Sequence, residues 1–481
     1  MSGTFGQLIL AAVIYVGVVL VLGFVATRRA SKSPTEYFLA GRALGPVVLF
    51  MALFGTNNTS FVLVGIPGLS YNLGLGVFGL NAPVVALGIP LTFWAIGSPA
   101  WRWARKLDAL TPAELYAKRL GSPAVGFLLF FLFTLYTIPY MTQGVKSAAL
   151  ILAESSDGAL SMTMAAVGVV VIALVYTSLG GMRATAWTNV FQGAVFMVFM
   201  AACFFLMSSS LGGLSSAMEQ VDPAKLVVGT GGLFAPRAWA SWGLVIALSV
   251  IVFPHMLVRL MSAKDERSLQ TVCRYYPIAL ALLWIPAVLI GVWGSAAFPN
   301  LENSDEIFQK MTAAHLPPAL GALGFLAVLS AVMSTLDAQI LTLGSMVMRD
   351  VLEPLRGRRL PAGTEVWLGR FFSLGIGATV LILAITWNES IFGISRKAFE
   401  GYLTLFPTLL LGVRWARFTA AGALASMVIG NLVLVLGWMG KLPLFGFLPP
   451  FWALVAGFAA AIGVSLMSRP ALPSTAVARE E

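Results

Sequence analysis

The sequence predicts an all-α integral membrane protein with about thirteen membrane-spanning helices. Of its 481 residues, 58% are hydrophobic and only 10% are charged, whereas a soluble domain carries roughly a quarter charged residues. Apolar runs of ~20 residues, long enough to cross a bilayer, recur along the whole chain. The basic residues behind the net charge of +10 stand in short loops between these runs, which is typical of membrane proteins and not of nucleic-acid binding.

The sequence contains thirteen candidate spans. They cover about 7–27, 45–75, 78–98, 123–152, 161–179, 187–210, 237–258, 276–298, 318–348, 366–387, 389–412, 417–438 and 447–467. The first is interpreted as a spanning helix and not a secretory signal, because no basic residue precedes it and Arg28 and Arg29 follow it. Cys203 and Cys273 form no spaced pattern, so neither a disulfide nor a zinc site is predicted.

The basic residues also predict an orientation. Most of the thirty lie in alternate loops, on the same side as Arg28. By the positive-inside rule this side is cytoplasmic, so the N-terminus is expected outside and the C-terminus inside. The expected location is a bacterial inner membrane, with the lipid bilayer and a small solute as partners. Neither nucleic acid nor an obligatory protein partner is expected.

Three spans are predicted to be broken. Polar residues interrupt the second at Gly55–Ser60, the seventh at Phe253-Pro254-His255 and the eleventh at Ser395–Glu400. Non-helical backbone at this depth is tolerated only where it faces protein or water. Interrupted helices in corresponding halves of a chain indicate a transporter site at the repeat interface. The pattern therefore favours a transporter, and no nucleotide-binding, hydrolase or metalloprotease motif suggests an enzyme.

Hydroxyl groups on the ninth span are candidate cation ligands. Ala331, Ser334 and Thr335 share one helix face. Two hydroxyls and a freed carbonyl would supply hard oxygen ligands, and the break at Gly55–Asn58 could supply further carbonyls. The alternative is that both hydroxyls bond to the preceding turn or pack closely against a neighbouring helix.

Charged residues within the spans are functional candidates because burying them is costly. Asp337 either has a functional role in the transport path or neutralises a buried cation such as Arg259 or Lys146. Arg259 marks the membrane interface or a gate. His255 shuttles protons or is a structural residue.

Two further cations lie at the outer end of the eleventh span. Arg396 and Lys397 could attract an anionic solute. Alternatively they extend to the interface, or pair with Glu400 one turn later.

Several motifs resemble the sodium:solute symporter family, and they occur in order over residues 37–350. They are Tyr37–Arg42, Gly65–Gly68, Gly180–Ala184, Trp187–Asn189 with Gln192, Pro254–Met261 and Ala331–Leu336. The resemblance implies a LeuT-type architecture with two inverted five-helix repeats (5+5) and peripheral helices. It divides the chain into a first helix with a basic loop, two repeats, and two final helices with a short cytoplasmic tail. The corresponding ranges are 1–44, 45–210, 237–412 and 413–481.

The resemblance also implies a site for Na+ as the co-transported ion, between the second and ninth spans. Its ligands would be the carbonyls of Gly55, Asn58 and Ala331 and the hydroxyls of Ser334 and Thr335.

Two positions depart from the family's pattern. Asn189 stands where the family often has aspartate, and Asn57 stands where proline symporters have aspartate. Both changes remove negative charge near the ion path, so a second sodium site is not expected at Asn189.

The resemblance suggests which solute is carried. Ile246 and Val250 replace aromatic residues of the proline symporters, which argues against proline. Tyr140 and Gln143 belong to an element similar to one in monocarboxylate permeases, although the aromatics could simply pack helices. With Arg396 and Lys397, this element favours a small carboxylate.

The solute is expected beside Asn57, Thr59 and Tyr140. The predicted function is sodium-driven import by alternating access. The alternative is a symporter-like membrane sensor that acts with a separate signalling partner.

Overall fold

The computed structural model describes residues 3–28, 33–156, 159–357 and 361–469. Arg29 and the predicted cytoplasmic tail beyond residue 469 lie outside the described residues. In the described part the chain is helical and contains no strand; Leu44 and Ala263 form an isolated bridge. The predicted all-α fold is confirmed.

In the described residues, thirteen helices correspond to the predicted spans. Three of them, α2, α7 and α11, are broken, and their halves are marked a and b. The thirteen helices are α1 Gly3–Thr27, α2a Pro46–Asn57, α2b Phe61–Leu73, α3 Gly76–Lys106, α4 Pro123–Ser155, α5 Met162–Val175, α6 Gly181–Ser210, α7a Pro236–Val252, α7b Pro254–Met261, α8 Glu266–Ala297, α9 Pro318–Met346, α10 Ala362–Thr386, α11a Ile391–Leu403, α11b Phe406–Arg414, α12 Ala420–Trp438 and α13 Pro449–Met467. Shorter helices connect them at Pro34–Leu39, Pro112–Leu120, Leu214–Glu219, Pro223–Leu226 and Ile307–His315.

Length and composition allow most of these segments to cross a membrane. Nine helices of the described residues are long and apolar enough, or eleven when the bent pairs α2 and α7 each count as one span. Helix α5 is shorter, and α11 is divided into two pieces. The number thirteen therefore stays a prediction.

Helix α2 is broken where the sequence predicts. Its halves meet at 52°, and Asn58, which ends α2a, has a non-helical backbone with φ −91° and ψ 85°. A π-helical turn, Phe61–Gly65, opens α2b. Pro67 explains this irregular turn, because it has no N–H to donate to the carbonyl one turn earlier. The break leaves the last carbonyls of α2a without intrahelical partners.

Helix α7 is also broken as predicted. Its halves meet at 50°, and Phe253 is extended, with φ −58° and ψ 122°. The residue before a proline is disfavoured in the α conformation, so Pro254 ends one helix and begins the next.

The interruption predicted inside the eleventh span at Ser395–Glu400 is wrong. Helix α11a is continuous there. The Ser395 hydroxyl bonds back to the Ile391 carbonyl at 2.8 Å and Arg396 pairs with Glu400 at 2.8 Å, so these polar groups have partners without a break in the helix. The chain breaks later, at residues 404–405. Pro407 cannot donate to the carbonyl of residue 403, which accounts for this position.

The broken helices surround a buried central helix. The apolar stretch of α9 that can span the membrane is 100% buried within the protein, whereas only 11% of the corresponding stretch of α1 is buried. Helix α9 packs against α1, α2a, α4 and α6, whereas α12 and α13 pack mainly against each other. The breaks in α2 and α7 consequently face the protein interior and not lipid.

Candidate functional site

The end of α2a meets the two hydroxyls of α9. The Ser334 Oγ lies 2.8 Å from the Gly55 carbonyl oxygen and 2.9 Å from that of Ala331. The Thr335 Oγ1 lies 3.0 Å from the Thr56 carbonyl oxygen and 3.1 Å from that of Ala331. All five residues are buried. We call these three carbonyl and two hydroxyl oxygens the oxygen cluster.

A missing side chain at Gly55 permits this contact. A Cβ atom built there would lie 3.2 Å from the Asn189 carbonyl oxygen and 3.8 Å from the Ser334 Cβ. The first distance is tighter than nine in ten real Cβ contacts. Glycine therefore lets α2a approach both α6 and α9 at the level of the oxygen cluster.

Asn189 holds the two sides of the cluster together. Its Nδ2 donates hydrogen bonds of 2.9 Å to the Thr56 hydroxyl and of 2.9 Å to the Ser334 carbonyl. Within the described residues, its buried Oδ1 has no hydrogen-bond partner. Asn189 was predicted to lie on the ion path, and the structure places it beside the oxygen cluster.

Asn58 occupies the turn that ends α2a. Its backbone N–H and its side-chain Nδ2 both donate to the Phe54 carbonyl, at 3.0 Å and 2.9 Å. The carbonyl of Asn58 as a cation ligand stays a prediction. The contact with Thr335 is made by the Thr56 carbonyl, which sequence reasoning missed. Thr56 was identifiable, because the last four carbonyls of any helix lack intrahelical partners.

The oxygen cluster has the chemistry of a small-cation site. Carbonyl oxygens carry only lone pairs, and a hydroxyl can turn to present its own. Carbonyls freed at a helix break coordinate Na+ in transporters. The partial negative charge at the C-terminal end of α2a also favours a cation there.

An aromatic cluster lies beside the break in α2. It comprises Tyr140, Phe253, His255, Phe399 and Tyr402. The Tyr140 ring centroid is 5.0 Å from that of Phe253, 5.4 Å from Phe399 and 6.1 Å from His255. Sequence reasoning selected Tyr140 but missed Phe253 and Phe399. The position of Phe253 directly before Pro254 was the available signal.

Polar side chains connect this region to α2. Gln143 Nε2 donates to the Thr59 hydroxyl at 3.3 Å, and the Ser60 hydroxyl donates to Gln143 Oε1 at 3.3 Å. The structure thus brings two predicted solute residues, Thr59 and Gln143, together. A third, Asn57, is buried at the last position of α2a.

The other two predicted solute residues lie on α7a. Ile246 and Val250 are buried. They precede the break of α7 by about two turns and one turn. No aromatic side chain occupies either position, as the sequence shows.

Arg259 and Asp337 form a fully buried ion pair. Their side chains approach to 3.6 Å and neither is exposed. The two partners predicted for Asp337 were Arg259 and Lys146, and the structure selects Arg259. Lys146 instead donates to the Trp387 and Glu389 carbonyls, at 3.0 Å and 2.5 Å. The ion pair joins α7b to α9 two residues beyond Thr335.

Arg396 and Lys397 are both paired with carboxylates. Arg396 lies 2.8 Å from Glu400, and Lys397 lies 2.6 Å from Glu389. The alternative of pairing with Glu400 thus holds for Arg396, whereas Lys397 has a different partner. Lys397 also lies 5.6 Å from the Trp387 ring centroid. These pairs offset the positive charge expected to attract an anion.

The model of the sodium:solute symporter family matches residues 37–430. The chain belongs to the sodium:solute symporter family. Sodium/proline symporters of Staphylococcus aureus strains bovine RF122 / ET3-1 and JH9 are each 26% identical to it, over 479 and 473 residues. These matches cover 94% of this symporter and 90% of each relative.

Two solved structures share the fold of this symporter. A Na+-coupled sialic acid symporter, in a substrate-bound outward-open state, matches with a TM-score of 0.83 at 16% identity. That match covers 98% of this chain and 99% of the other. The nucleobase–cation symport-1 family transporter Mhp1, closed with bromovinylhydantoin bound, matches with a TM-score of 0.59 at 14% identity. Here the coverage is 90% and 94%.

These comparisons confirm the LeuT-type architecture and the membership of a transporter family. The protein is a multi-pass membrane protein that couples transport to Na+, and it is not an enzyme. These four matches are all with transporters, and they do not support the alternative of a membrane sensor.

Proposed function

We propose that this symporter imports a small organic carboxylate by alternating access, with Na+ bound at the oxygen cluster. The observation that carries the proposal is the contact of the Ser334 and Thr335 hydroxyls with carbonyls at the end of α2a. Helix α2 lies in the predicted first repeat and α9 in the second. Na+ at this position would hold the two repeats together.

Sodium binding must favour one arrangement of the repeats to drive transport. A ligand with equal affinity for two states shifts neither. The oxygen cluster meets this requirement, because its ligands come from two helices and exist as one site only while both are in contact. Separation of α2a from α9 would disperse the ligands and release the ion.

The same break in α2 suits a carboxylate. The C-terminal end of α2a carries partial negative charge and the N-terminal end of α2b carries partial positive charge. Half-helix N-termini face anionic substrate groups in broken-helix transporters. Thr59, Ser60 and Gln143 add polar groups at that end, and the aromatic cluster can pack the apolar part of the solute. A cation and a carboxylate can therefore bind at one break.

The orientation and cellular setting are part of the proposal. The N-terminus lies outside, the C-terminus is cytoplasmic, and the membrane is the inner membrane of a bacterium. Transport requires no second protein. The distribution of basic residues supports the orientation.

Uptake by the purified symporter in liposomes tests the proposal. Small carboxylates should accumulate under an inward Na+ gradient and not under an equal K+ gradient, and the corresponding amides should compete poorly. Gln143→Leu should raise the KM for the carboxylate roughly tenfold, because Thr59 and Ser60 at the proposed carboxylate site would lose the two hydrogen bonds that hold them, each worth about 0.5–1.5 kcal/mol.

Gln309→Leu is the matched control, since Gln309 donates to Ser155 away from the break. Equal uptake under Na+ and K+ gradients would refute the coupling. Equal competition by acids and amides would refute the carboxylate.

A further inference from the structure

We propose that an anionic phospholipid binds along the face of α3 that points away from the helix bundle. Arg414 and Arg102 would hold its phosphate. The site lies at the surface of the bundle, away from the oxygen cluster and the aromatic cluster. It does not depend on the proposed function.

An apolar stripe on α3 provides the surface for an acyl chain. Leu87, Leu91 and Trp94 are 70%, 60% and 57% exposed. Their spacing of four and three residues places them on one helix face. In a bilayer this uncovered face contacts lipid. Trp94 ends the stripe, and tryptophan is enriched where the hydrocarbon region meets the headgroups.

Arg414 is fixed at the end of this stripe. Pro99 has no N–H for the Ala95 carbonyl, and α3 contains a π-helical turn at Phe93–Gly97. Arg414 Nε donates to the Ala95 carbonyl at 2.7 Å, and its Nη2 donates to the Trp94 carbonyl at 3.1 Å. Its guanidinium carbon lies 5.1 Å from the Trp94 ring centroid.

The anchored guanidinium can still bind a phosphate. It is exposed, and a guanidinium carries five N–H donors in a rigid fork. Its Nε and Nη2 donate to the two carbonyls. The N–H groups that these two bonds do not use are available to an anion. Because these carbonyls position the side chain beforehand, little conformational entropy is lost when an anion binds.

The neighbouring charges favour an anion. Arg102 and Lys106 are exposed and lie beyond Trp94 on α3, Arg102 about two turns from it. Glu266 lies 3.4 Å from Arg102, and both side chains are about half exposed. Arg105 is also exposed, and its Nη2 contacts the backbone carbonyls of Arg42, Ala263 and Lys264. The exposed cations therefore outnumber the carboxylate beside them.

The arrangement selects a phospholipid over free phosphate. The cations stand at one end of an apolar stripe, as a headgroup stands at the end of an acyl chain. Each Lys or Arg near an anionic membrane surface contributes about 1 kcal/mol. A bound lipid would also join α11b to α3, because its phosphate would bridge Arg414 and Arg102.

Native mass spectrometry of the purified symporter tests the site. The probes are phosphatidylglycerol and phosphatidylcholine with identical acyl chains, and glycerol 3-phosphate as a headgroup without chains. We expect phosphatidylglycerol to be retained, with phosphatidylcholine and glycerol 3-phosphate retained at least tenfold less. Arg102→Gln combined with Lys106→Gln should lower retention of phosphatidylglycerol about twenty-five-fold, at about fivefold for each cation.

Arg414→Gln should lower the retention of phosphatidylglycerol more than the Arg102→Gln/Lys106→Gln variant does. Its matched control is Arg237→Gln, since Arg237 donates to the Phe445 carbonyl at 2.7 Å and lies 5.6 Å from the Phe447 ring centroid. The Arg102→Gln/Lys106→Gln variant keeps the Arg414 contacts, so it remains informative if Arg414→Gln fails to fold. Equal retention of both lipids, or unchanged retention in the double variant, would overturn the proposal. Equal retention of glycerol 3-phosphate would assign the site to a free phosphate and overturn it as well.

Discussion

The Ser334 hydroxyl lies 2.8 Å from the Gly55 carbonyl oxygen, and this contact joins the centre of α9 to the end of α2a. Both residues are buried. The contact brings hydroxyl oxygens to the only part of α2a where carbonyls are free. The geometry of the oxygen cluster therefore depends on how closely α2a, α6 and α9 approach one another.

Gly55→Ala should weaken sodium binding. The added Cβ would lie 3.2 Å from the Asn189 carbonyl oxygen and would move α2a away from α6. Overpacking a buried site costs about 1–3 kcal/mol, so we expect roughly a tenfold rise in the Na+ concentration that gives half-maximal thermal stabilisation. Gly168→Ala is the control, because a Cβ there meets nothing within 4 Å. Unchanged sodium dependence in Gly55→Ala would show that the approach of α2a is not limiting.

Breaking the Arg259–Asp337 pair should destabilise the fold. Both side chains are fully buried at 3.6 Å, and removal of one buried partner costs about 3–5 kcal/mol. Asp337→Asn and Arg259→Met should each lower the free energy of unfolding by about that amount. The double variant should be more stable than the sum of the single effects predicts. Denaturant unfolding in detergent measures the cycle, and strictly additive losses would mean that the two charges do not interact.

The stability of the folded symporter should increase on mild acidification. Asp305, on the loop after α8, accepts a hydrogen bond of 2.9 Å from the Ile391 N–H at the start of α11a. Burial raises the pKa of its carboxyl above the ordinary value of 3.8, against the opposing effects of that hydrogen bond and of Lys146. The folded state thus binds the proton more tightly than the unfolded state does. Its stabilising effect is complete below 3.8 and is lost as pH rises through the raised value.

Asp305→Asn should remove this part of the pH dependence. The amide oxygen can still accept from Ile391 but does not titrate, so the melting temperature should vary less between pH 7 and pH 4.5. Asp265 is a control of opposite sign, because hydrogen bonds from the Ser268 side chain and backbone lower its pKa. Its contribution is lost as pH falls through that lowered pKa. A pH profile of Asp305→Asn that is identical to the parent would contradict the assignment.

The sequence predicted the elements whose causes are local. Polar residues at Gly55–Ser60 interrupt α2, and the proline after Phe253 ends the first half of α7. Both causes are local, because a missing N–H donor or an unpaired carbonyl acts within one helical turn. The same reasoning failed for Ser395–Glu400, because an ion pair one turn apart and a serine bonded to its own helix satisfy these polar groups within a continuous helix. The break lies at residues 404–405, just before Pro407, which has no N–H for the carbonyl of residue 403.

The candidate site was predicted less completely, because its contacts join distant parts of the chain. Helix spacing placed the hydroxyls of Ser334 and Thr335 on one face, and the family resemblance selected them as cation ligands. Their contact with the Thr56 carbonyl depends on the relative height of α2a and α9, which the sequence does not encode locally. The partners of Asp337 and Lys397 likewise depended on tertiary packing. The repeat boundaries at 45–210 and 237–412 and the sodium and solute ligands stay predictions.

The most direct test of the oxygen cluster is equilibrium binding of radioactive Na+ to the purified symporter. We predict saturable binding that falls at least tenfold in affinity when Ser334→Ala and Thr335→Ala are combined, because two of five oxygens are removed. Ser345→Ala is the control, since its hydroxyl donates to the Thr342 carbonyl of the same helix α9 at 2.7 Å. Sodium binding of parental affinity in a folded Ser334→Ala/Thr335→Ala variant would contradict the account.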